Sequence, residues 1–236
     1  MSILIGIVLF ATAFLVLYWV FYGQRRYNEM LNPKRKTELK AMIFDFDGVL
    51  IDSFDRQHSV FNDLKTQYGL KKLDKGTFKK QLWGNSLEVN AKKIFSGIDL
   101  KDIRKKYVAA TKKHKEEGRI MEGANKVLGK IKEKKLKIGL VTNTTRERAT
   151  NDLKFYKLSR YFETVVTADD VEKPKPYPDS ILKACKNLNV EPDEIMYIGD
   201  TKNDYKAGKA AGAFVVGFNT HGDLTVGKLT DLLRLL

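Results

Sequence analysis

Four short apolar segments stand out along the chain: AMIFDF at 41–46, LKIGLVT at 136–142, EIMYIGD at 194–200 and AFVVGF at 213–218. FETVVT at 162–167 makes a fifth. Runs of this length with little alternation read as strands buried on both faces. Between most of them lie helical patterns, at 122–135, 145–157, 178–189 and 203–212. Strands alternating with helices at this spacing predict an α/β, Rossmann-like core around a parallel sheet. The interval 55–118 departs from that rhythm, being helical by pattern throughout. It is too long for one crossover and reads as an inserted helical subdomain. Three of the five prolines fall in KPKPYPD at 173–179, which forces an extended loop just before a helix.

The first run of the chain has a different pattern. From Ile3 to Tyr22 no charged residue occurs, and Tyr18, Trp19 and Tyr22 gather at one end. Twenty apolar residues at 1.5 Å each match a hydrocarbon core of about 30 Å, so the run predicts one transmembrane helix preceding the α/β core. A cleaved signal peptide fits less well, because no basic residue precedes the run and no small-residue cleavage site follows it. Arg25, Arg26, Lys34, Arg35, Lys36 and Lys40 lie after the run, against Glu29 and Glu38. Positive charge stays cytoplasmic, which predicts a single-pass protein of the cell membrane with its larger part in the cytoplasm. The expected organisation is an anchor at 1–22, a basic linker at 23–40, a core formed by 41–54 and 119–236, and a helical cap at 55–118.

Composition narrows the function classes. The 236 residues carry a formal net charge of +14, with lysine-rich stretches at 71–80, 101–115 and 126–137. In KVLGKIKEKKLK those lysines alternate with apolar residues at helical spacing, as on a solvated helix face, so no nucleic-acid partner is expected. One cysteine, Cys185, excludes an internal disulfide framework and a multi-thiolate zinc site. Three scattered histidines, His58, His114 and His221, argue against a histidine metal site.

Carboxylates carry the candidate chemistry. The first strand runs into DFDGVLID, which places Asp45 and Asp47 at the carboxyl end of a central strand. Open α/β sheets bind ligands there. Like charges this close call for a cation, and an all-oxygen set without His or Cys suits Mg²⁺. The second strand ends in Thr142, Asn143 and Thr144 before a helix, which offers hydroxyls and free N–H groups to a phosphate. Lys173 in the proline-rich loop is a candidate point charge for phosphate. IGDTKND closes the next strand with Asp200, and Asp204 follows one helical turn later.

Taken singly, each feature has a plain structural explanation: a solvated turn, a helix cap, one lysine among many. Their order and separations together resemble the haloacid dehalogenase superfamily over about 41–236, and within it the phosphoglycolate-phosphatase-like phosphatases with an inserted helical cap. The resemblance implies a Mg²⁺-dependent phosphatase acting on a small phosphorylated metabolite through an aspartyl-phosphate. It makes Asp45 the nucleophile and Asp47 the general acid/base. It gives phosphate binding to Thr142, Asn143 and Lys173. Metal binding falls to Asp45, Asp200, Asp204 and the backbone carbonyl of Asp47. WGNSLE at 83–88 resembles the family's substrate-specificity loop, with Asn85 and Ser86 as candidates, while Trp83 reads as a core residue anchoring the cap. Asp47 argues against carbon–halogen chemistry. A phosphosugar mutase of the same superfamily is the alternative enzyme, disfavoured because Gln57 stands where mutases carry a histidine. A membrane-tethered binding module on a retired fold is the non-enzymatic alternative, and a retired site would be expected to have lost one of the motif residues.

Overall fold

A computed structural model describes residues 37–236. Strand β1, Ala41–Phe44, is buried along its whole length. It pairs in parallel with β4, Lys137–Val141, on one side and β6, Ile195–Gly199, on the other, so that Ala41 faces both Lys137 and Ile195. Beyond β4 lies β5, Thr164–Val166, and beyond β6 lie β7, Phe214–Phe218, and β8, Leu224–Val226. The sheet order is β5-β4-β1-β6-β7-β8, and every pairing is parallel. Chain crossovers run one way from β1 to β4 and β5, then return to its other side at β6. That reversal opens a crevice above the carboxyl ends of β1, β4 and β6, where ligands bind in such sheets. The apolar pattern predicts the first five of these strands. β8 is too short and too exposed to have announced itself.

Helices α5, Ala124–Glu133, α6, Arg146–Phe155, α7, Asp179–Leu188, and α8, Lys202–Ala211, make the crossovers. Helix α7 buries Ile181, Ala184, Cys185 and Leu188, a stripe at i, i+3, i+4 and i+7 that packs with Ile43 and Tyr197 in one core. Burial pushes the Cys185 thiol up to about 11, so it behaves as a small apolar side chain.

The segment between the first two sheet strands leaves and returns through a two-stranded antiparallel stalk, β2, Ile51–Asp52, and β3, Arg119–Ile120. Between them are α1, Phe54–Gln67, α2, Lys75–Gln81, α3, Leu87–Ile94, and α4, Leu100–Lys113. These helices have their own apolar centre, in which Phe61, Leu64, Phe78, Phe95 and Ile103 are buried. An ion pair ties this cap to the core. The Arg56 guanidinium on α1 donates to both oxygens of Asp152 on α6, at 2.8 and 2.9 Å, and to the Thr111 carbonyl at 2.9 Å.

The expected transmembrane helix needs correction. The run at 3–22 lies outside the described residues, and among those described no helix is long and apolar enough to cross a membrane. The longest, α1 and α4, have 14 residues each and are amphipathic. At 1.5 Å per residue they fall well short of a bilayer core of about 30 Å. The architecture is therefore an α/β core with an inserted helical cap. The expected membrane partner and the single-pass, cytoplasm-facing placement are withdrawn with the helix. Of the basic linker, residues 37–40 are described, and Lys40 pairs with Glu194 at 2.5 Å.

Candidate active site

β1 ends one residue before Asp45, whose backbone N–H donates to the Ile198 carbonyl of β6 at 2.8 Å. That bond holds the Asp45 side chain at the mouth of the crevice, where its Oδ1 accepts from the Phe46 N–H at 2.7 Å. β6 ends at Gly199, which places Asp200 alongside. The first turn of α8 carries Asp204, held by a reciprocal capping arrangement with Thr201. Asp45, Asp200 and Asp204 each offer an oxygen within 4.8 Å of the others. The turn after Asp47 requires glycine: Gly48 has φ of +78°, and a Cβ there would lie 2.2 Å from Asp200 Oδ2.

The cation among these carboxylates is Lys175. Its Nζ donates to Asp45 Oδ1 at 2.8 Å, Asp204 Oδ1 at 2.7 Å, the Tyr197 hydroxyl at 3.0 Å and the Val141 carbonyl at 3.2 Å. Lys173, the expected phosphate ligand, is instead exposed, with its Nζ 5.7 Å from the centre of the Tyr177 ring. The correction is two residues along the same loop. Both lysines precede a proline, and nothing local in KPKP distinguishes the one that turns inward. The backbone carbonyl of Lys175 also accepts from Asn143 Nδ2 at 2.8 Å, fastening the loop to the end of β4.

Burial pushes the Asp45 carboxyl up to about 7, with Asp204 adding to the rise and Lys175 opposing it. Asp200 is driven well above the carboxylate range by burial and by Asp204 and Asp45. Asp204 goes the other way despite burial, because Lys175 and its hydrogen bonds from Thr201 and Tyr197 favour the anion. Three carboxylates thus share one ammonium. Asp200 Oδ1 is buried without a hydrogen-bond partner, while Oδ2 accepts from Trp83 Nε1 at 3.1 Å. A buried oxygen with no donor and a surplus of negative charge fit a hard divalent cation, for which carboxylates are the proper ligands. Asp45 and Asp200 are the side chains placed to hold it. Asp204 has both oxygens engaged by Lys175, Tyr197 and Thr201, and so balances Lys175.

Asp47 turns away from that cluster. Its carboxylate takes both terminal nitrogens of Arg148 on α6, with Nη1 at 2.8 Å from Oδ2, and accepts from Ser53 Oγ at 2.5 Å. Although burial alone would raise it, the Arg148 guanidinium holds this carboxyl below the usual range. Arg148 is itself buried, bonds Thr144 Oγ1 at 2.9 Å and pairs with Asp152 at 3.2 Å. In TTRERA it reads as one more surface charge. The clue to its burial is its place on the same face as Ala149 and Asp152.

Thr142 and Asn143 stand at the end of β4 as expected. Thr142 Oγ1 accepts from the Thr144 N–H at 3.2 Å, and Asn143 Oδ1 is buried without a partner. Across from them the cap loop closes on the core. The Gly84 carbonyl accepts from Asn143 Nδ2 at 2.9 Å and from Asn203 Nδ2 at 3.0 Å. Asn85 lines the resulting cavity, whereas Ser86 is the N-cap of α3, accepting from Val89 N–H at 3.4 Å, and does not reach it. Trp83 packs on Phe54, with ring centres 5.2 Å apart, and is also a wall of the site. The space between them is about 50 Å³.

The chain matches the family described as Haloacid dehalogenase-like hydrolase over residues 42–218. Among curated proteins, it is 32% identical over 223 residues to Pyrophosphatase PpaX of Bacillus velezensis, a match covering 87% of this chain and 98% of that one. Among solved structures, CbbY from Rhodobacter sphaeroides in complex with phosphate has a TM-score of 0.73 at 21% identity, covering 82% of this chain and 96% of that one. β-Phosphoglucomutase from Clostridium difficile gives a TM-score of 0.68 at 23% identity, covering 82% and 93%. At these identities the two structures attest to the fold.

Proposed function

Because the chain belongs to the haloacid dehalogenase-like hydrolases and is a phosphatase of that family, we propose that it hydrolyses a small phosphorylated metabolite through an aspartyl-phosphate on Asp45, with Mg²⁺ as its cation. The observation that carries this reading is the cluster at the end of β1. There Asp45 is buried against Lys175, and Asp200 leaves an oxygen without a donor.

The Asp45 carboxylate attacks phosphorus in line. A phosphorus–oxygen bond to Asp45 forms as the bond to the leaving oxygen breaks. Asp47 gives its proton to that oxygen, so the leaving group departs as a neutral hydroxyl. The second half reverses the roles. Asp47, now ionised, takes a proton from water, the water oxygen attacks the same phosphorus, and inorganic phosphate leaves with Asp45 restored. Arg148 stabilises the ionised Asp47 and so suits the second half. The first half needs the protonated acid, which requires that ion pair to loosen once substrate is seated. Thr142 and the backbone at Asn143 face the non-bridging oxygens, and Lys175 lies beside the attacking carboxylate. Asp45 and Asp200 would hold a divalent cation, which would supply charge neutralisation where one anion approaches another.

The small substrate is supported by the cap, which closes over the site and shields it from water. Gln57 supports hydrolysis over transfer between sugars. It lines the cavity with its amide 3.1 Å from the Tyr107 hydroxyl, while His58 turns away to the Leu73 carbonyl at 2.7 Å. The test uses the full chain with a panel of phosphomonoesters, with and without Mg²⁺, beside Asp45→Asn. We expect Mg²⁺-dependent phosphate release that falls to background in Asp45→Asn, and Mg²⁺ binding by calorimetry that weakens in Asp200→Asn. Release that persists undiminished in Asp45→Asn would remove the aspartyl-phosphate mechanism.

A further inference from the structure

The cavity above Asp45 and Asp47 has two unlike sides. Its floor comes from the core and supplies Thr142, Asn143 and Thr144 beside the two carboxylates. Its cap wall consists of Phe61, Phe78, Leu82, Trp83, Leu87 and Tyr107, with the neutral amides of Gln57, Asn85 and Asn90 between them. A leaving group attached to the phosphoryl on the floor must sit against this wall.

In a chain of net charge +14, the wall carries no cation among the described residues. Arg148 is the single guanidinium or ammonium lining the cavity, and it belongs to the core. It is almost completely buried, and when its pair with Asp47 loosens it keeps Asp152 at 3.2 Å as its partner. The cap's own cations face elsewhere. Arg104, Lys105 and Lys112 line a separate cleft between α4 and α6, where Arg104 pairs with Asp169 at 2.9 Å and Lys112 with Glu147 at 3.3 Å. The amides on the wall are also committed. Asn90 Nδ2 donates to the Leu82 carbonyl at 3.0 Å, and Asn85 Nδ2 to the Gln81 carbonyl at 2.9 Å.

An anionic leaving group placed against this wall would lose its water and meet no cation on the cap side to replace it. An uncharged one would instead bury carbon against aromatic and aliphatic side chains. We propose that the preferred substrate is a phosphomonoester of an uncharged, apolar alcohol, not pyrophosphate and not a phosphorylated carboxylic acid. This rests on the phosphatase reading above and sets its substrate class.

The experiment compares two esters of the same shape and opposite character, isobutyl phosphate and phosphoglycolate, with inorganic pyrophosphate as a third substrate. Each is assayed with the full chain and Mg²⁺ against an Asp45→Asn background. We expect kcat/KM for isobutyl phosphate to exceed that for each anionic substrate by at least about tenfold. Installing a cation on the wall with Asn85→Lys should then narrow the isobutyl phosphate to phosphoglycolate ratio by about tenfold. Circular dichroism and the melting temperature confirm that this variant is folded. An anionic substrate turned over as well as isobutyl phosphate overturns the substrate class while leaving the phosphatase intact. An unchanged ratio in folded Asn85→Lys shows that the wall does not set the preference, and also overturns it. No release from any of the three above the Asp45→Asn background removes the phosphatase reading itself.

Discussion

Removing the Lys175 ammonium leaves Asp45 and Asp204 as neighbouring buried carboxylates with no cation between them, since both accept from it within 2.8 Å. Taking one partner from a buried ion pair costs about 3–5 kcal/mol, because the remaining charge keeps its desolvation penalty. Lys175→Met is therefore expected to unfold at a urea midpoint lower by that free energy, and to lose at least about a hundredfold in kcat. Lys173→Met serves as the control. Its side chain is exposed, so stability should change by no more than about 0.5 kcal/mol and activity should persist. Equal damage from the two substitutions would contradict the inward placement of Lys175. The pair also shows what sequence can and cannot reveal at this scale. Asp45 and Asp200 are legible because each follows directly on an apolar strand, and Asp47 because it repeats the carboxylate two residues later. Lys175 and Arg148 are charged residues in stretches full of charge, and only tertiary packing marks them as buried.

Whole elements follow the same logic. The helical stripe Ile181, Ala184, Cys185, Leu188 is readable because every contact it needs lies on one face at a helical period. β8 is not, since LTV owes its strand form to β7 beside it and not to any pattern of its own. The junction of α1 with the end of α4 likewise depends on partners distant in sequence. His114, just after α4, has Nε2 2.8 Å from Asp63 of α1 and Nδ1 2.5 Å from Glu117. Partial burial alone would lower its pKa, but the hydrogen bonds and charges of Glu117 and Asp63 outweigh this and raise it above the ordinary 6.5. A histidine pKa raised on folding gives stability that is complete below the unfolded value and is lost as pH climbs through the folded one. Stability should accordingly fall as pH rises from about 6.5 through the raised value. In His114→Gln that slope should flatten, and denaturant melts across this range measure it. An identical slope in both proteins would remove His114 as its source.

At the scale of the molecule, polar contacts join cap and core on more than one side of the site. Arg56 and Asp152 fix the hinge side, while Trp83 and Gly84 fix the side that covers the site. This division lets the cap loop lift without breaking the buried ion pair. Trp83 has an unusual position in that arrangement, because its indole N–H holds one oxygen of Asp200 and leaves the other, partnerless one for a cation. Cap closure and the shape of the carboxylate cluster are thereby coupled through a single donor. Trp83→Phe keeps an aromatic ring against Phe54 while removing that donor together with part of the ring's volume. A hydrogen bond to a charged group contributes about 1.5–3 kcal/mol, so kcat/KM should fall at least about tenfold. Backbone amides of 83–86 should exchange faster with solvent as the loop spends more time away from the core. A loss of activity without faster exchange would assign the indole to Asp200 alone. Faster exchange with activity intact would mean that closure by this loop does not limit the reaction.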